Sequence, residues 1–106
     1  MNMYNFPIII AEGLDVNFYM SVSSVQDSIE AVDIQNDVYK AYDSLGNKIV
    51  LSVIDDKISI KIDYENNLKI ELEKLLIDFL TAIEFKFSEK EESLASLLKK
   101  CSKFYQ

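Results

Sequence analysis

The hydrophobic pattern of the chain changes near residue 66 from the period of a strand to the period of a helix. Between Ile58 and Tyr64 every second residue is apolar, which is the pattern of a β-strand with one buried face. Between Leu68 and Ile83 the apolar residues recur at helical spacing, with charged residues on the opposite side. A half-buried strand followed at once by a half-buried helix favours a fold in which helices pack on a sheet.

Four segments before this point also have the composition of strands. They are short, apolar and rich in β-branched or aromatic residues, and they lie at residues 6–11, 16–20, 38–43 and 48–54. The first two predict two strands, or one strand and an extended arm. The turn signal Ser44-Leu45-Gly46-Asn47 joins the last two into a hairpin, and Asp55-Asp56-Lys57 leads from there into the strand at residues 58–65.

Two further segments predict helices. Ser21 is a good N-cap for a short helix from Val22 to Ser28, whose apolar residues recur at helical spacing. Near the end of the chain, Ser88-Glu89-Lys90-Glu91 has the pattern of a capping box, and it is followed by Leu94, Leu97, Leu98 and Cys101.

Together these elements predict an α+β fold in a single domain of residues 1–106. The expected architecture is an antiparallel sheet of four to five strands, with one short inserted helix and two C-terminal helices packed on one face. The order of the strands does not follow from these patterns.

Residue types that most enzymes and metal sites require are scarce in this chain. It has no histidine, one cysteine and two glycines, so metal ligation, histidine-based catalysis and glycine-rich phosphate loops lose their usual residues. We therefore expect no enzyme activity, no catalytic residues, no cofactor and no metal. A carboxylate-based enzyme is the weaker alternative, and its best pair, Asp55 and Asp56, falls in a turn where solvated residues are usual.

The sequence also carries no pattern of a membrane or export segment. The longest strongly apolar stretch, residues 6–11, is far shorter than the roughly 20 residues that span a bilayer, and the first residues lack a basic n-region. We expect a cytoplasmic protein. Cys101 cannot form an internal disulfide and is interpreted as an incidental thiol.

The negative charge of the chain is concentrated in its first half. Residues 1–47 contain seven acidic residues and one lysine, whereas residues 48–106 contain eleven acidic residues and ten lysines, for a net charge of −7. Such a field repels nucleic acid and anionic lipid and accelerates encounter with a basic partner. The simpler alternative is that the acidity only keeps the protein soluble.

The predicted strand at residues 38–43 suggests a binding surface. Tyr39 and Tyr42 alternate in opposite directions, so one of them points outward in either register. An outward tyrosine among carboxylates resembles an interface for a basic protein, although both tyrosines also fit as ordinary sheet residues. The candidate partner-binding residues are Asp27, Glu30, Asp33, Asp37, Tyr39, Tyr42 and Asp43.

Residues 8–53 resemble small immunity proteins of bacterial contact-dependent growth inhibition and related polymorphic toxin systems. The resemblance lies in Phe18-Tyr19-Met20 before a serine-started helix, and in Glu30-Ala31-Val32-Asp33 leading to Val38-Tyr39-Lys40-Ala41-Tyr42-Asp43-Ser44-Leu45-Gly46. It implies a cytoplasmic protein that binds one cognate toxin C-terminal domain, commonly a basic nuclease, and blocks its active site or substrate groove.

From this resemblance we expect a monomer that forms a 1:1 complex with its toxin, with an RNase ahead of a DNase as the target. We expect no nucleic-acid or membrane partner. The alternative is a small acidic secretion chaperone, which would hold an export substrate and usually needs a dimer to build its groove.

Overall fold

The computed structural model describes residues 4–86 and 93–106. Its elements are an antiparallel sheet and four α-helices, so the predicted α+β class is confirmed. The strands are β1 (Ile8–Glu12), β2 (Asp15–Tyr19), β3 (Lys40–Tyr42), β4 (Asn47–Ile54) and β5 (Lys57–Asn67). The helices are α1 (Val22–Ser28), α2 (Ala31–Gln35), α3 (Lys69–Ala82) and α4 (Leu94–Lys100), followed by a 3-10 turn at Ser102–Phe104.

The sheet has the order β2-β1-β3-β4-β5, and each neighbouring pair is antiparallel. Helices cover both of its faces. One face, called the α3 face below, packs against α3 and α4. The other, called the α1 face, packs against α1 and α2. The two C-terminal helices therefore share one face, as the sequence predicted.

Strand β1 lies inside the sheet and is buried on both faces. Ile9 and Ala11 belong to the core of the α3 face, whereas Ile8 and Ile10 belong to the core of the α1 face. A strand buried on both faces needs a continuous apolar run, which explains the sequence of β1. Full burial of each isoleucine contributes about 1.5–3 kcal/mol.

The helices of the α1 face follow one another closely. The side chain of Ser21 caps α1 by accepting from the Ser24 backbone amide at 3.1 Å, as the sequence predicted. Helix α2 was not predicted. It has only five residues, and its N-cap residue Glu30 makes no side-chain capping bond, so the usual sequence signals of a helix start are missing.

The last helix begins at Leu94 behind Ser93, whose hydroxyl accepts from the Ser96 amide at 3.1 Å. The predicted capping box at Ser88-Glu89-Lys90-Glu91 lies outside the described residues. After α4 the tail reaches the free edge of β2, where the Gln106 amide donates to the Phe18 carbonyl at 2.8 Å. This contact covers an edge that otherwise offers unpaired backbone groups.

The turn between β3 and β4 is built around a buried carboxylate. Asp43 is 0 % exposed, and its two oxygens accept from the backbone amides of Leu45 and Asn47 and from the side-chain amides of Asn5 and Asn47, at 2.9–3.1 Å. Four donors satisfy the charge where water cannot reach it. Asp43 therefore holds the turn together.

Tyr42 lies under α3 in the core of the α3 face and is 1 % exposed. Its hydroxyl donates to Glu71 Oε2 at 2.6 Å. Burial raises the pKa of Tyr42, and the bond to the Glu71 carboxylate and its charge raise it further.

None of the helices within residues 4–86 and 93–106 combines the length and hydropathy needed to cross a membrane.

Gly46, in the turn between β3 and β4, lets the hairpin pack closely against the start of α3. It has a positive φ of 87°, and a Cβ at this position would lie 2.6 Å from the Lys69 Cα. The Gly46 carbonyl accepts from the Leu68 amide at 2.6 Å. Gly13 also has a positive φ, 61°, but a Cβ there would meet no atom within 4 Å. Both glycines therefore have a left-handed backbone, but only at Gly46 would a Cβ atom also collide with a neighbouring residue.

We expect Gly46→Ala to lower the free energy of unfolding by about 3 kcal/mol, because it adds a backbone clash to the cost of a left-handed alanine. Gly13→Ala, the matched control, should cost only about 1 kcal/mol, since it carries the left-handed cost alone. Urea unfolding of both variants and the wild type gives the comparison. Equal losses in the two variants would show that Gly46 does not pack tightly on α3.

Stability should fall with rising pH above about 10, partly through Tyr42. Because the pKa of Tyr42 is higher in the folded protein, its phenol ionises at a lower pH in the unfolded chain. The contribution of Tyr42 to the free energy of unfolding is therefore complete below about pH 10 and decreases progressively above it. Tyr42→Phe removes this ionisation, so urea unfolding at pH 8 and pH 11 should show a smaller pH-dependent loss in the variant. The assignment is wrong if both proteins lose the same free energy between the two pH values.

Candidate partner-binding surface

Five of the seven predicted binding residues have side chains that reach the surface of the α1 side of the molecule. Asp27, on α1, is exposed, as are Glu30 and Asp37 at the two ends of α2. Asp33, within α2, and Tyr39, just before β3, are partly exposed. We call these five residues the acidic face. They are held there because Val25, Ile29 and Ile34 anchor the same segment to the sheet from its inner side.

Tyr39 connects two other members of the acidic face, Glu30 and Asp33. Its hydroxyl donates to Asp33 Oδ2 at 3.3 Å and accepts from the Glu30 backbone amide at 3.5 Å. Partial burial raises the pKa of Tyr39, the bond from the Glu30 amide opposes this change, and the Asp33 charge adds to it. The phenol is therefore a neutral hydrogen-bonding group at physiological pH, and it positions the Asp33 carboxylate.

Two apolar side chains lie within the same segment and face solvent. Val32 on α2 is 54 % exposed, and Val38, between α2 and β3, is 37 % exposed. These two side chains add apolar contact area to the segment that carries the carboxylates. Sequence reasoning missed both residues, because α2 itself was missed and Val38 was assigned to the strand.

The structure corrects the prediction for Tyr42 and Asp43, which are buried and cannot form part of an exposed binding surface. Tyr42 is covered because α3 packs on its side of β3. Asp43 is covered because its carboxylate accepts the donors of the turn. Of the two tyrosines that alternate in this segment, Tyr39 is the one that lies on the side of the acidic helices.

Lysines occupy the opposite face of the β4–β5 hairpin. Strand register places Lys48, Lys57 and Lys61 on the α3 face, where all three side chains are exposed. Ile49, Ile60 and Ile62 point to the α1 face instead, under the acidic helices. These lysines therefore lie on the opposite side of the sheet from the acidic face, and Asp63, opposite Lys48 in the strand register, shares their side.

A cleft of about 420 Å³ lies between β3 and β4, at the border between the two faces. The strands pair at Tyr42 and Lys48 and diverge beyond this point. Residues from both sides of the sheet line the cleft: Ile34, Asp37, Tyr39, Lys40, Ala41, Tyr42, Lys48, Ile49, Val50, Leu51, Leu68 and Glu71. The acidic face therefore continues, through Asp37 and Tyr39, into a concave site.

The groups considered for catalysis lie elsewhere. Asp55 and Asp56 are exposed at the tip of the β4–β5 hairpin, both with positive φ, so they serve the turn. Cys101 is buried, and burial raises the pKa of its thiol to about 11, which disfavours the reactive thiolate. Within residues 4–86 and 93–106 no three side chains of the His, Cys, Asp and Glu types are grouped so that they can hold a metal ion.

Comparison of the chain with protein-family models, with curated proteins and with solved structures gives no match.

Proposed function

We propose that this chain is an immunity protein that binds a cognate toxin domain and neutralises it by covering its active site or substrate groove. The toxin is a basic nuclease, with an RNase ahead of a DNase. The observation that carries the proposal is the acidic face, whose exposed carboxylates share one segment with the exposed side chains of Val32 and Val38, and this segment packs on the sheet from its inner side.

The charge of the acidic face fits a nuclease as partner. A nuclease must present lysine and arginine to phosphate, and exposed carboxylates can occupy the same positions as the phosphates they replace. Asp27, Glu30 and Asp37 project from the α1 side, whereas the lysines of the hairpin project from the other side. A basic partner is attracted to these exposed carboxylates, which raises the association rate at low salt.

Slow dissociation requires apolar contact as well as charge. Val32 and Val38 supply exposed apolar area beside the carboxylates, and the Tyr39 ring adds a partly exposed aromatic surface. Interfaces commonly gain most of their affinity from a few such residues that lose contact with water on binding. The mixture favours a specific inhibitor over a general polyanion.

The direct test is coexpression with the toxin domain encoded immediately upstream of the gene for this chain. We expect rescue of growth, co-purification of one copy of each protein, and loss of nuclease activity in the purified complex. If the upstream protein binds but is not toxic and is exported, the secretion chaperone replaces this proposal. If no toxic partner is found, the immunity function is wrong.

Asp37→Lys should weaken toxin binding by about 2 kcal/mol, or roughly 30-fold in Kd, because it reverses a charge within the acidic face. Asp56→Lys is the matched control, since Asp56 is also exposed and has a positive φ, 62° against 58° for Asp37, but lies at the hairpin tip. Kinetic binding measurements at several salt concentrations separate the association rate from the dissociation rate. The choice of surface is wrong if the two variants bind alike.

A further inference from the structure

Strand β4 has a free edge where it faces the cleft. It pairs along its full length with β5, but with β3 only through Lys48 and Tyr42. From Val50 to Ile54 no strand of the described residues pairs with the other side of β4. A strand inside a five-stranded sheet thus carries an unpaired edge, which is usual only at the border of a sheet.

The strand register identifies the backbone groups at this edge. In an antiparallel ladder, residues directly opposite each other point their N–H and C=O groups either toward each other or both away. The carbonyls of Ile58 and Ile60 point away from β4, because they accept from the side chains of Gln26 and Tyr4 at 2.9 Å. Their partners Val53 and Leu51 therefore point away from β5, toward the side of the cleft.

The end of β3 leads to the same assignment. The Asp43 amide donates to the Asn47 carbonyl at 3.0 Å, so Asn47 points its backbone toward β3. Because backbone direction alternates, Leu51 and Val53 point to this side as well. No backbone hydrogen bond among the described residues reaches either of them from outside the β4–β5 ladder. The edge has donors and acceptors available to a further strand.

The two walls of the cleft differ in charge. On the α1 face the wall contains Asp37 and Tyr39, in continuity with the acidic face. On the α3 face it contains Lys40 and Lys48, and the carboxylate of Glu71 there already accepts from Tyr42. A strand lying in the cleft would direct alternate side chains to these two walls. Basic side chains match the first wall, and acidic side chains match the second.

We propose that the cleft between β3 and β4 binds an extended segment of the toxin partner, which adds to the free edge of β4 at Leu51 and Val53. The segment alternates basic and acidic side chains. Its backbone pairs with β4, and its basic side chains meet Asp37. The identity of the partner rests on the function proposed above, whereas the cleft itself can be tested with peptides.

The test uses the isotope-labelled chain and two twelve-residue peptides of equal composition, each with six Lys and six Glu. One alternates Lys and Glu singly, and the other repeats Lys-Lys-Glu-Glu, so only the first has the period of a strand. We expect the alternating peptide to shift the amide resonances of Leu51 and Val53 and to slow their hydrogen exchange at least fivefold. The blocked peptide should change neither. Equal effects of both peptides, or effects confined to residues outside the cleft, would overturn the proposal.

Asp37→Asn should lower the affinity for the alternating peptide at least fivefold. Asp56→Asn, at a similar left-handed position on the hairpin tip, should leave this affinity unchanged. Asparagine tolerates this backbone conformation, so neither variant should unfold. If both variants bind the alternating peptide equally, the proposal that its basic side chains meet Asp37 is wrong.

The toxin complex distinguishes the two proposals. If the toxin binds and is inhibited but the amides of Leu51 and Val53 exchange as in the free chain, the immunity function stands and the cleft proposal is wrong. If the alternating peptide binds but no toxin does, the cleft is a strand-binding site and the assigned partner is wrong.

Discussion

The burial of β1 on both faces is the constraint on which the rest of the fold depends. Ile8 and Ile10 on one face and Ile9 and Ala11 on the other are all removed from water, so each face needs its own cover. Helices α3 and α4 supply one cover from the C-terminal half. The opposite cover comes from α1 and α2, inserted between β2 and β3. The acid-rich segment therefore has a structural task on its inner side, which leaves its outer side free for another role.

The same insertion explains the cleft. Helix α2 lies against β4, and the chain returns from it into the sheet only at Lys40. With three residues, β3 is too short to follow all eight of β4, so the two strands separate after a single pair. A short strand in the interior of a sheet leaves an unpaired edge beside it. The acidic face and the strand edge are adjacent because both arise from this one connection.

Sequence periodicity was sufficient to predict the elements that have one apolar side and one polar side. Strand β5 alternates cleanly, α3 has a long apolar stripe, and Ser21 marks the start of α1, so these elements form close to their predicted positions. Helix α2 could not be predicted, because five residues carry too little pattern and Glu30 gives no capping bond. Strand β3 was predicted from residue 38 but begins at Lys40, since Val38 and Tyr39 still belong to the connection from α2.

In the candidate site, the sequence alone could not predict which side chains are exposed. Five members of the predicted set are at least partly exposed, whereas Tyr42 and Asp43 are buried for reasons that depend on the fold. Whether Tyr39 or Tyr42 points toward α3 depends on which face α3 covers, and alternation alone leaves that open. Asp43 looks like a solvated turn residue until its four donors are placed around it, and one of them, Asn5, is distant in sequence.

The residues that hold the fold together differ from those proposed to bind a partner. Asp43, Gly46 and Tyr42 hold the hairpin, the turn and α3 together, and all three are buried. Asp27, Glu30 and Asp37 are exposed, and solvation screens their contribution to the fold. Carboxylates that contribute little to folding can change without loss of the scaffold. A surface of this kind can therefore be altered to match a different partner while the two-faced sheet beneath it stays the same.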